Sequence, residues 1–438
     1  MEWLKITNYV IAVLFSVCYL YQYIYILIGC FHKPKTFKEV KPGRRYAVLI
    51  SARNEKLVIG NLLDSIAAQS YPADLIDTYV IADNCTDETA AVAAEHGAFV
   101  WERNDTSRIG KGYALDFLFD KLHDRVGKDY YDAFFVIDAD NLLDRNFVLE
   151  MDKCLCAGHR IATCYRNSKN YGSNWISSGY ALWFLREAKH LNNARFILGT
   201  SCAVSGTGFM VHKDIINQMG SWKYFLLTED IEFSVDSILQ GEKIAYCHGA
   251  MLYDEQPETF AQSWRQRLRW SRGFLQVVRR YGLKLVKGIF TMGSFSCLDM
   301  LFTIAPAFVI SVGSVLANLT GLVIGAFRGP TYVLMALAEM GKLLLAVYLL
   351  LLAVGIISGV TEWKNIHCSV PRKIKSFFTF PLFMMTYLPI SVTAAFTHVT
   401  WQPIEHTSAR TLDDVVSDGE TVKPEKGQIA DAKTKGNT

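Results

Sequence analysis

The feature that most constrains the fold of this chain is an alternation of short apolar strands with helical segments near its start. Strands are predicted at 46–51, 77–82, 98–101 and 132–137, and helical periodicity fills the intervals at 56–69, 86–96 and 112–123. Strands that alternate with helices of this length predict a mostly parallel sheet with helices on both faces. Ligands of such sheets bind beyond the carboxyl ends of the strands.

Polar residues follow three of these strands, at the position where a ligand would bind. The first strand runs into Arg53-Asn54-Glu55, the second into Asp83-Asn84 and the fourth into Asp138-Ala139-Asp140. No GxGxxG follows any strand, which argues against a dinucleotide-dependent oxidoreductase. The sequence therefore predicts a carboxylate-rich site at one edge of the sheet.

Two short motifs further along the chain each have a functional and a purely structural interpretation. The glycines of Gly206-Thr207-Gly208 would let the backbone approach a ligand closely, or would simply make a turn. Thr228-Glu229-Asp230 opens a helical pattern that runs to Leu239. Taken alone, this motif is more typical of an ordinary N-cap with acids in the first helical turn.

A predicted helix from Pro257 to Phe290 carries Gln266, Arg269 and Trp270 at spacings that place their side chains on one face. A guanidinium pairs with phosphate, and an indole stacks on the apolar face of a sugar, so this face suits a sugar with a charged leaving group. The segment 265–287 also holds eight Lys and Arg residues and no acid. That composition is typical of a helix on an anionic membrane surface, which is the alternative.

The N-terminal apolar run, Asn8 to Phe31, is long enough to cross a bilayer. Its flank, His32 to Arg45, is rich in Lys and Arg, so the positive-inside rule places the flank in the cytoplasm and the N-terminus outside. A retained anchor is favoured over a cleaved signal peptide, because the run is too long and no small-residue cleavage site follows it.

Two further apolar runs, Cys297 to Phe327 and Tyr332 to Val360, can each span a membrane. Glu339 and Lys342 lie inside the second run, three residues apart. Charges at that depth are costly, and pairing with each other is favoured over a role in a substrate path.

The overall composition excludes some classes of protein. A formal net charge of +3 over 438 residues gives no indication of nucleic-acid binding. Among the ten cysteines only Cys154 and Cys156 are close in sequence, and no CxxC repeat occurs. We therefore interpret the cysteines as reduced core residues and not as zinc ligands.

Taken in this order and followed by apolar runs, the motifs resemble the membrane-embedded family 2 glycosyltransferases, which include cellulose, hyaluronan and chitooligosaccharide synthases. The resemblance covers 46–407 and also includes Lys111-Gly112. It implies an α/β GT-A fold, a Rossmann-like nucleotide-sugar domain with a mostly parallel sheet, inserted between transmembrane helices and accompanied by amphipathic interfacial helices. It also implies a nucleotide-sugar donor and inversion at the anomeric carbon.

The same resemblance assigns roles to individual residues. Donor binding falls to Glu55, Asp83, Lys111, Asp138, Asp140 and Arg269. Acceptor binding falls to Gly206, Thr207, Gln266 and Trp270. Asp138 and Asp140 would also hold Mg²⁺ or Mn²⁺, which suits an all-oxygen site. Asp230, preferred to its neighbour Glu229 on the resemblance alone, would be the general base that deprotonates the acceptor hydroxyl.

The C-terminal end departs from the family pattern. Hyaluronan and chitooligosaccharide synthases carry a Trp-Gly-Thr-Arg loop, whereas this chain has Trp401-Gln402-Pro403-Ile404-Glu405-His406 in the comparable place, without the arginine. Trp401 is nevertheless a candidate gating-loop residue. The segment 377–399 before it is an interfacial helix or a further span, with the interfacial interpretation slightly favoured. The tail, 408–438, is polar and predicted to be disordered.

The expected domains follow from these assignments. They are a transmembrane helix at 8–31, a cytoplasmic GT-A domain at 44–255, interfacial helices at 256–290, two transmembrane helices at 297–360, the ambiguous segment at 376–399, and a loop with a disordered tail at 400–438. The compactness of the chain favours a bacterial origin, which would place it in the plasma membrane.

The leading functional hypothesis is a processive or semi-processive synthase that extends a β-linked polysaccharide, such as an exopolysaccharide, from a UDP-sugar and passes it into the membrane. Glucose and N-acetylglucosamine are the first candidates for the sugar. The alternative is transfer of a single sugar to a lipid acceptor, and a non-catalytic export subunit ranks third. The expected partners are therefore the UDP-sugar, a growing glycan or lipid, and the bilayer, without nucleic acid. Oligomerisation is left open.

Overall fold

The computed structural model describes residues 2–417 of the chain. The described residues form an eight-stranded sheet in the order β3-β2-β1-β4-β7-β6-β8-β5. The strands are β1 (Tyr46–Ala52), β2 (Ile76–Asp83), β3 (Phe99–Arg103), β4 (Ala133–Asp138), β5 (Leu142–Leu143), β6 (Ile161–Ser168), β7 (Phe209–His212) and β8 (Ile244–Asp254).

Helices flank and follow this sheet. They are α1 (Glu2–Phe31), α2 (Ile59–Ala67), α3 (Thr89–Glu95), α4 (Lys111–Val126), α5 (Phe147–Cys156), α6 (Trp175–Arg186), α7 (Asn193–Ile197), α8 (Lys213–Met219), α9 (Glu229–Leu239), α10 (Phe260–Thr291), α11 (Phe295–Ile304), α12 (Pro306–Arg328), α13 (Pro330–Thr361), α14 (Val370–Met385), α15 (Tyr387–Phe396) and α16 (Leu412–Ser417). A short π-helical turn, Glu187–Asn192, joins α6 to α7, and 3₁₀ turns lie at Ala73–Leu75 and Trp363–Asn365.

The first half of the sheet confirms the predicted alternation. Strands β3, β2, β1 and β4 are parallel neighbours, and α2, α3 and α4 connect them. Strand β1 is buried along nearly its whole length, as expected for a central strand covered on both faces. The predicted helix at 56–69 is shorter, because the turn after Glu55 delays the helix until Ile59.

In the second half of the sheet, β7 and β5 run opposite to the other strands. Strand β7 pairs antiparallel with both β4 and β6, and β8 lies parallel to β6. This mixed but mostly parallel arrangement puts the turn before β7 beside the carboxyl end of β4. The glycine motif at 206–208 lies in that turn.

Within residues 2–417, four helical segments are long and apolar enough to cross a membrane. They are Glu2–Phe31, Phe295–Arg328, Pro330–Thr361 and Val370–Phe396. The second is divided into α11 and α12, whereas the sequence indicated one continuous run from Cys297. The division falls at Pro306, which has no N–H to continue the helical hydrogen bonds.

Helix α1 runs antiparallel to the α11–α12 segment, because Asn8 near its start contacts Asn318 whereas Tyr25 near its end contacts Asp299. Near its start, α1 contacts the second half of α12 through reciprocal side-chain hydrogen bonds between Asn8 and Asn318. Near its end, α1 packs against the π-helical turn, where Gly29 lies beside His190. Within α13, Lys342 Nζ lies 2.7 Å from Glu339 Oε1, which confirms the predicted pairing of these two charges.

Both ends of the α14–α15 pair contact the sheet domain. Before α14, Glu362 accepts a hydrogen bond from the hydroxyl of Tyr165 on β6, and Asn365 O accepts one from Asn167. After α15, the chain returns across the carboxyl edge of the sheet, where Trp401 and His406 contact residues of that edge. The segment 370–396 therefore begins and ends on the same side as the sheet.

The expectation that the chain is disordered from Ser408 onward is wrong for residues 408–417. The backbone N–H of Ser408 donates to Glu255, Lys169 Nζ donates to Ser408 O at 3.2 Å, and Arg410 donates to Lys169 O. Helix α16 follows and buries Val415 against β5 and β8. The polar composition of this segment hid these tertiary contacts. The rest of the predicted tail, 418–438, lies outside the described residues.

A buried ion pair ties the sheet domain to the apolar helices, and its loss should destabilise the fold. Arg195 and Asp299 are each 2% exposed, joined through Nε–Oδ2 and Nη2–Oδ1 contacts of 2.8 Å, and Tyr25 donates to the same carboxylate. We expect Asp299→Ala to lower the free energy of unfolding by about 3–5 kcal/mol, because it leaves a buried guanidinium unpaired. Thermal unfolding in detergent measures this. Asp129→Ala, at an 84% exposed side chain beside Lys213, is the control and should leave the melting temperature unchanged.

Candidate active site

The carboxyl ends of β1, β2 and β4 meet at one edge of the sheet. Ser51 pairs with Asp138 across β1 and β4, and Ala52 pairs with Ala82 across β1 and β2. The residues that follow these strands therefore lie side by side, as the sequence predicted. This edge forms the floor of the candidate site.

Two asparagines turn the chain sharply after β1 and β2. Asn54 and Asn84 adopt φ angles of 59° and 55°, in the left-handed region that asparagine tolerates better than most residues. The side chain of Asn54 accepts a hydrogen bond from the N–H of Thr86 at 2.8 Å, which joins the two turns. These turns set the direction in which Glu55 and Asp83 project.

Asp83 is held by an arginine that sequence reasoning missed. Arg103 Nη1 lies 2.5 Å from Asp83 Oδ1, and both side chains are almost fully buried. Burial raises the pKa of Asp83, and Arg103 opposes that rise. Arg103 ends β3, next to β2 in the sheet, and this adjacency is the signal that could have identified it.

Lys111, predicted to lie near the nucleotide, contacts a second predicted donor residue. Its Nζ donates to Asp138 Oδ1 and, at 2.8 Å, to Gly206 O. The neighbouring Gly112 is required by packing, because a Cβ there would overlap the carbonyl oxygen of Tyr224. Lys111 thus connects the end of β4 with the turn at residues 205–208, which is called the glycine turn below.

Asp140 is more deeply buried than Asp138. The Asp140 side chain is 9% exposed and that of Asp138 is 35% exposed. The N–H of Glu255 donates to Asp140 Oδ2 at 3.2 Å. Burial favours the neutral acid, but His406, Lys169 and Arg166 together hold the pKa of Asp140 below its usual value. Asp140 is therefore a carboxylate at neutral pH.

The donor set at this edge fits a hard divalent cation. Asp138 and Asp140 offer only oxygen ligands, and Mg²⁺ or Mn²⁺ held by one or two carboxylates takes its remaining ligands from phosphate and water. The described residues contain no group of three His, Cys, Asp or Glu side chains arranged to hold a metal ion on their own. The pair therefore suits a cation that arrives with a diphosphate, rather than one held by protein ligands alone.

Asp230 projects from the N-terminus of α9 toward the glycine turn. Its Oδ2 accepts a hydrogen bond of 2.6 Å from the N–H of Gly206. Thr228 occupies the N-cap position, but its side chain makes no capping hydrogen bond within the described residues. Burial raises the pKa of Asp230, and burial together with Asp230 raises the pKa of Glu229 to about 7. A buried carboxylate with a raised pKa suits proton acceptance.

The glycine turn is shaped by its glycines. Gly206 and Gly208 have φ angles of 78° and 69°, and a Cβ on Gly208 would overlap the sulfur of Cys164. Thr207 is buried, and its hydroxyl donates to Asn141 and accepts from the N–H of Asp138. The turn is therefore fixed against the end of β4, between Asp138 and Asp230.

Gln266, Arg269 and Trp270 share one face of α10, as predicted, but meet different surroundings. Arg269 donates to the carbonyl of Leu227, just before the Thr228-Glu229-Asp230 motif, at 2.9 Å. The Trp270 ring packs edge-on against Tyr180 at 5.7 Å. Gln266 Oε1 is buried and, within residues 2–417, has no hydrogen-bond partner. A buried unpaired oxygen is what a polar ligand would satisfy.

A cleft of about 170 Å³ separates this face from the C-terminal loop. Its walls are formed by α10 on one side and the loop after α15 on the other. The lining residues are Arg265, Gln266, Leu268, Arg269, Thr397, His398, Val399, Thr400, Gln402, Pro403 and Ile404. The cleft brings the predicted acceptor-binding glutamine and two arginines to one space.

The C-terminal loop crosses the carboxyl edge of the sheet, where the predicted donor-binding residues lie; this edge is called the donor edge below. The Trp401 ring lies over the guanidinium of Arg53 at 5.2 Å, and His406 Nδ1 lies 3.0 Å from both carboxylate oxygens of Glu55. Glu255 accepts hydrogen bonds from the backbone of the two residues after His406. Sequence reasoning assigned His406 no role, although it is the only basic residue in 401–406.

The family described as glycosyltransferase like family 2 matches residues 42–273. The probable glycosyltransferase YdaM of Bacillus subtilis is 25% identical over 272 residues, covering 57% of this chain and 59% of YdaM. The β-monoglucosyldiacylglycerol synthase of Synechocystis is 22% identical over 241 residues, covering 54% of this chain and 49% of the synthase. The poly-β-1,6-N-acetyl-D-glucosamine synthase of Staphylococcus aureus is 24% identical over 236 residues, covering 53% and 55%.

These matches span only about half the length of the curated relatives. A solved structure, the mannosyltransferase PcManGT from Pyrobaculum calidifontis in complex with GDP-Man and Mn²⁺, superposes with a TM-score of 0.58 at 16% identity, covering 90% of this chain and 99% of that one. This likeness shows a shared GT-A fold. Because the family match covers more than half of the chain, the protein belongs to the family described as glycosyltransferase like family 2.

Proposed function

We propose that the protein transfers a sugar from a UDP-sugar to a hydroxyl group of an acceptor at the membrane face, inverting the anomeric carbon and extending a β-linked glycan. The observation that carries this proposal is the glycine turn, which contacts donor-side and acceptor-side residues at once. Gly206 O accepts from Lys111, which also holds Asp138, while Gly206 N donates to Asp230. A nucleophile activated by Asp230 would thus stand next to the donor phosphates.

The proposed donor-binding residues neutralise the negative charge of the diphosphate leaving group. Glu55 and Asp83 would hold the nucleoside, and Asp138 and Asp140 would hold the divalent cation. That cation would supply charge stabilisation to the departing diphosphate. Lys111 and Arg269 add fixed positive charge around the same space. Arg269 is well placed for this, since its contact at Leu227 lies beside the motif that carries Asp230.

The acceptor side deprotonates the attacking hydroxyl. Asp230 takes the proton, and Gly206, Thr207, Gln266 and Trp270 orient the acceptor sugar. The unpaired oxygen of Gln266 is available to accept a hydrogen bond from an acceptor hydroxyl. We assign proton transfer to Asp230 rather than Glu229, because the Asp230 carboxylate contacts the glycine turn.

The donor sugar is proposed to be glucose or N-acetylglucosamine. The β-monoglucosyldiacylglycerol synthases and the poly-β-1,6-N-acetyl-D-glucosamine synthases among the relatives support these two sugars. The PcManGT complex with Mn²⁺ supports a divalent cation in the same fold. Pocket shape and a few polar contacts decide between similar sugars, so the choice belongs to experiment.

We propose that α1, α11–α12 and α13 cross the plasma membrane and that the sheet domain faces the cytoplasm, next to the basic flank 32–45. The α14–α15 pair would lie along the membrane surface, because both of its ends contact the sheet domain. The charged face of α10 would rest on the same surface. This orientation brings the cleft between α10 and the C-terminal loop to the bilayer boundary.

A second candidate, transfer of a single sugar to a lipid, is favoured by one observation. The three segments proposed to cross would make a narrow bundle, while the cleft of about 170 Å³ would lie at the bilayer boundary, where a lipid headgroup could enter. Incubation with a radiolabelled UDP-sugar and chromatography of the products separates the two candidates. A ladder or polymer supports glycan extension. One lipid-soluble labelled species contradicts extension and establishes the second candidate.

The C-terminal loop is proposed to gate the donor site, with Trp401 holding it closed against Arg53. We expect Trp401→Ala to lower kcat/KM for the donor about 3- to 30-fold, as the loss of one cation–π contact implies. Steady-state kinetics of UDP release measures this. Trp363→Ala, at a ring that packs against Phe377 away from the donor edge, is the control for loss of an indole. A donor kcat/KM unchanged in Trp401→Ala would contradict gating by this contact.

A further inference from the structure

One peptide unit in the glycine turn is held at both ends. The carbonyl of Ser205 accepts a hydrogen bond of 2.8 Å from Arg166 Nη1, and the N–H of Gly206 donates to Asp230 Oδ2 at 2.6 Å. These two groups belong to the same planar peptide, in which the C=O and N–H point in opposite directions. Arg166 and Asp230 therefore form hydrogen bonds to opposite sides of one rigid, planar peptide.

Arg166 is itself fixed. Its Nε donates to Asp254 Oδ2 at 2.8 Å and its Nη2 donates to the same oxygen. The guanidinium also stacks on the Phe184 ring, 3.7 Å from the centroid, and the side chain is only 16% exposed. Such a guanidinium has little rotational freedom, so it acts as a rigid support for the peptide that it contacts.

The turn needs such a support. Gly206 lies at a φ of 78°, in a region where glycine is free to move between several conformations. If the Ser205 carbonyl were released, the peptide could rotate and withdraw its N–H from Asp230. A cation at the carbonyl also polarises the peptide and strengthens its N–H as a donor.

We propose that Arg166, fixed by Asp254, is a positioning residue for the general base Asp230 and acts through the peptide between Ser205 and Gly206. This inference rests on the proposed function, because it takes Asp230 as the base. Arg166 need not touch either substrate. It sets the direction of the Asp230 carboxylate and favours its charged form, since a hydrogen bond to a carboxylate stabilises the anion.

Arg166→Lys tests this inference, because an ammonium group cannot hold Asp254 and the Ser205 carbonyl with the same fixed fork. We expect kcat to fall about 10- to 100-fold, the cost of a small misplacement of a reacting group. The KM for the UDP-sugar and the affinity for UDP should change by no more than about twofold, since no ground-state contact to the donor is lost.

The acid limb of the kcat–pH profile supplies a readout that a purely structural role would not move. Loss of the Gly206 hydrogen bond removes stabilisation of the Asp230 anion, so the limb should shift to higher pH. The other charged groups around Asp230 are Glu229, Lys111 and Arg269, and the substitution leaves all three in place. Arg160→Lys is the matched control, because Arg160 directly precedes the same strand and pairs with Glu242.

The closing experiment measures Arg166→Lys, Asp254→Asn, Arg160→Lys and Asp230→Asn together in full-length protein in detergent. A lower kcat with a shifted acid limb in Arg166→Lys, and a smaller change of the same kind in Asp254→Asn, supports the inference. Asp254→Asn alone decides the question if Arg166→Lys does not fold. A raised donor KM with unchanged kcat overturns the inference about Arg166 and leaves the proposed function intact. The same conclusion follows if neither variant changes while Asp230→Asn is inactive. Full activity of Asp230→Asn overturns the proposed function itself.

Discussion

Asp230→Asn should abolish sugar transfer while leaving UDP binding intact. The amide cannot accept the proton of the acceptor hydroxyl, and loss of a general base costs about 10²–10⁴-fold in rate. The nucleotide would contact the donor edge around Glu55, Asp83 and Asp138, so its affinity should persist. Turnover is measured by UDP release, and binding by calorimetry with UDP and Mn²⁺.

The control for this substitution lies on the same helix. Asp236 is also on α9, but its carboxylate accepts from Tyr224 and pairs with Lys223, away from the glycine turn. Asp236→Asn should therefore keep its turnover within a few-fold of the parent. Unchanged turnover in Asp230→Asn, or an equal loss in both variants, would contradict the assignment of the base.

The pH dependence of the parent protein follows from the same carboxylate. Burial raises the pKa of Asp230 above the ordinary value for aspartate. The base must be ionised to act, so kcat should fall as the pH drops through this raised pKa. The acid limb should therefore lie at a higher pH than the pKa of an exposed aspartate.

Asp140→Ala should remove turnover by at least about 100-fold, the usual scale for loss of a group that stabilises charge in the transition state. Asp140 is an ionised, nearly buried carboxylate at the donor edge, and alanine removes one of two proposed protein ligands for the cation. In the parent protein, chelation with EDTA should abolish UDP release, and added Mg²⁺ or Mn²⁺ should restore it.

A substitution away from the carboxyl edge serves as the control for the metal test. Asp129→Ala, at an exposed position far from the carboxyl edge, should retain activity and the same response to EDTA. Excess Mn²⁺ should fail to rescue Asp140→Ala. Full UDP release by the parent protein in EDTA would show that transfer does not need a divalent cation, and the proposed role of Asp138 and Asp140 would be wrong.

The parallel half of the sheet could be predicted because its signals are local. Strands β1, β2 and β4 are short apolar runs, and each ends in polar residues whose alignment follows from parallel pairing. The edge that carries Glu55, Asp83 and Asp138 was therefore visible in the sequence. The second half of the sheet was not, because β6, β7 and β8 pair in mixed directions without a regular alternation of helix and strand.

The residues that sequence reasoning missed act through tertiary contacts. Arg103 reaches Asp83 because β3 lies beside β2 in the sheet. Arg166 reaches the carbonyl of Ser205 because β6 lies beside the glycine turn. His406 is more than 300 residues from its partner Glu55 in the chain. Neither periodicity nor spacing reports such contacts.

Hydropathy likewise could not predict where the C-terminal segments lie relative to the sheet domain. The segment 370–396 is apolar enough to span a membrane, and only the contacts at its two ends place both of them beside the sheet domain. The polar residues 408–411 looked like disordered chain, yet they pair with Glu255 and Lys169. Composition describes what a segment can do in isolation and gives no information about its partners.

We propose above all that this chain uses the carboxyl edge of its sheet to transfer sugar from a UDP-sugar. The most direct test is release of the nucleoside diphosphate by purified protein in detergent with Mn²⁺. UDP is measured for a panel of UDP-sugars and GDP for GDP-mannose as the comparison, with Asp140→Ala as the inactive variant. We predict release from UDP-glucose or UDP-N-acetylglucosamine, lost in the variant and absent with GDP-mannose. Release from GDP-mannose alone, or equal release by Asp140→Ala, would contradict the account.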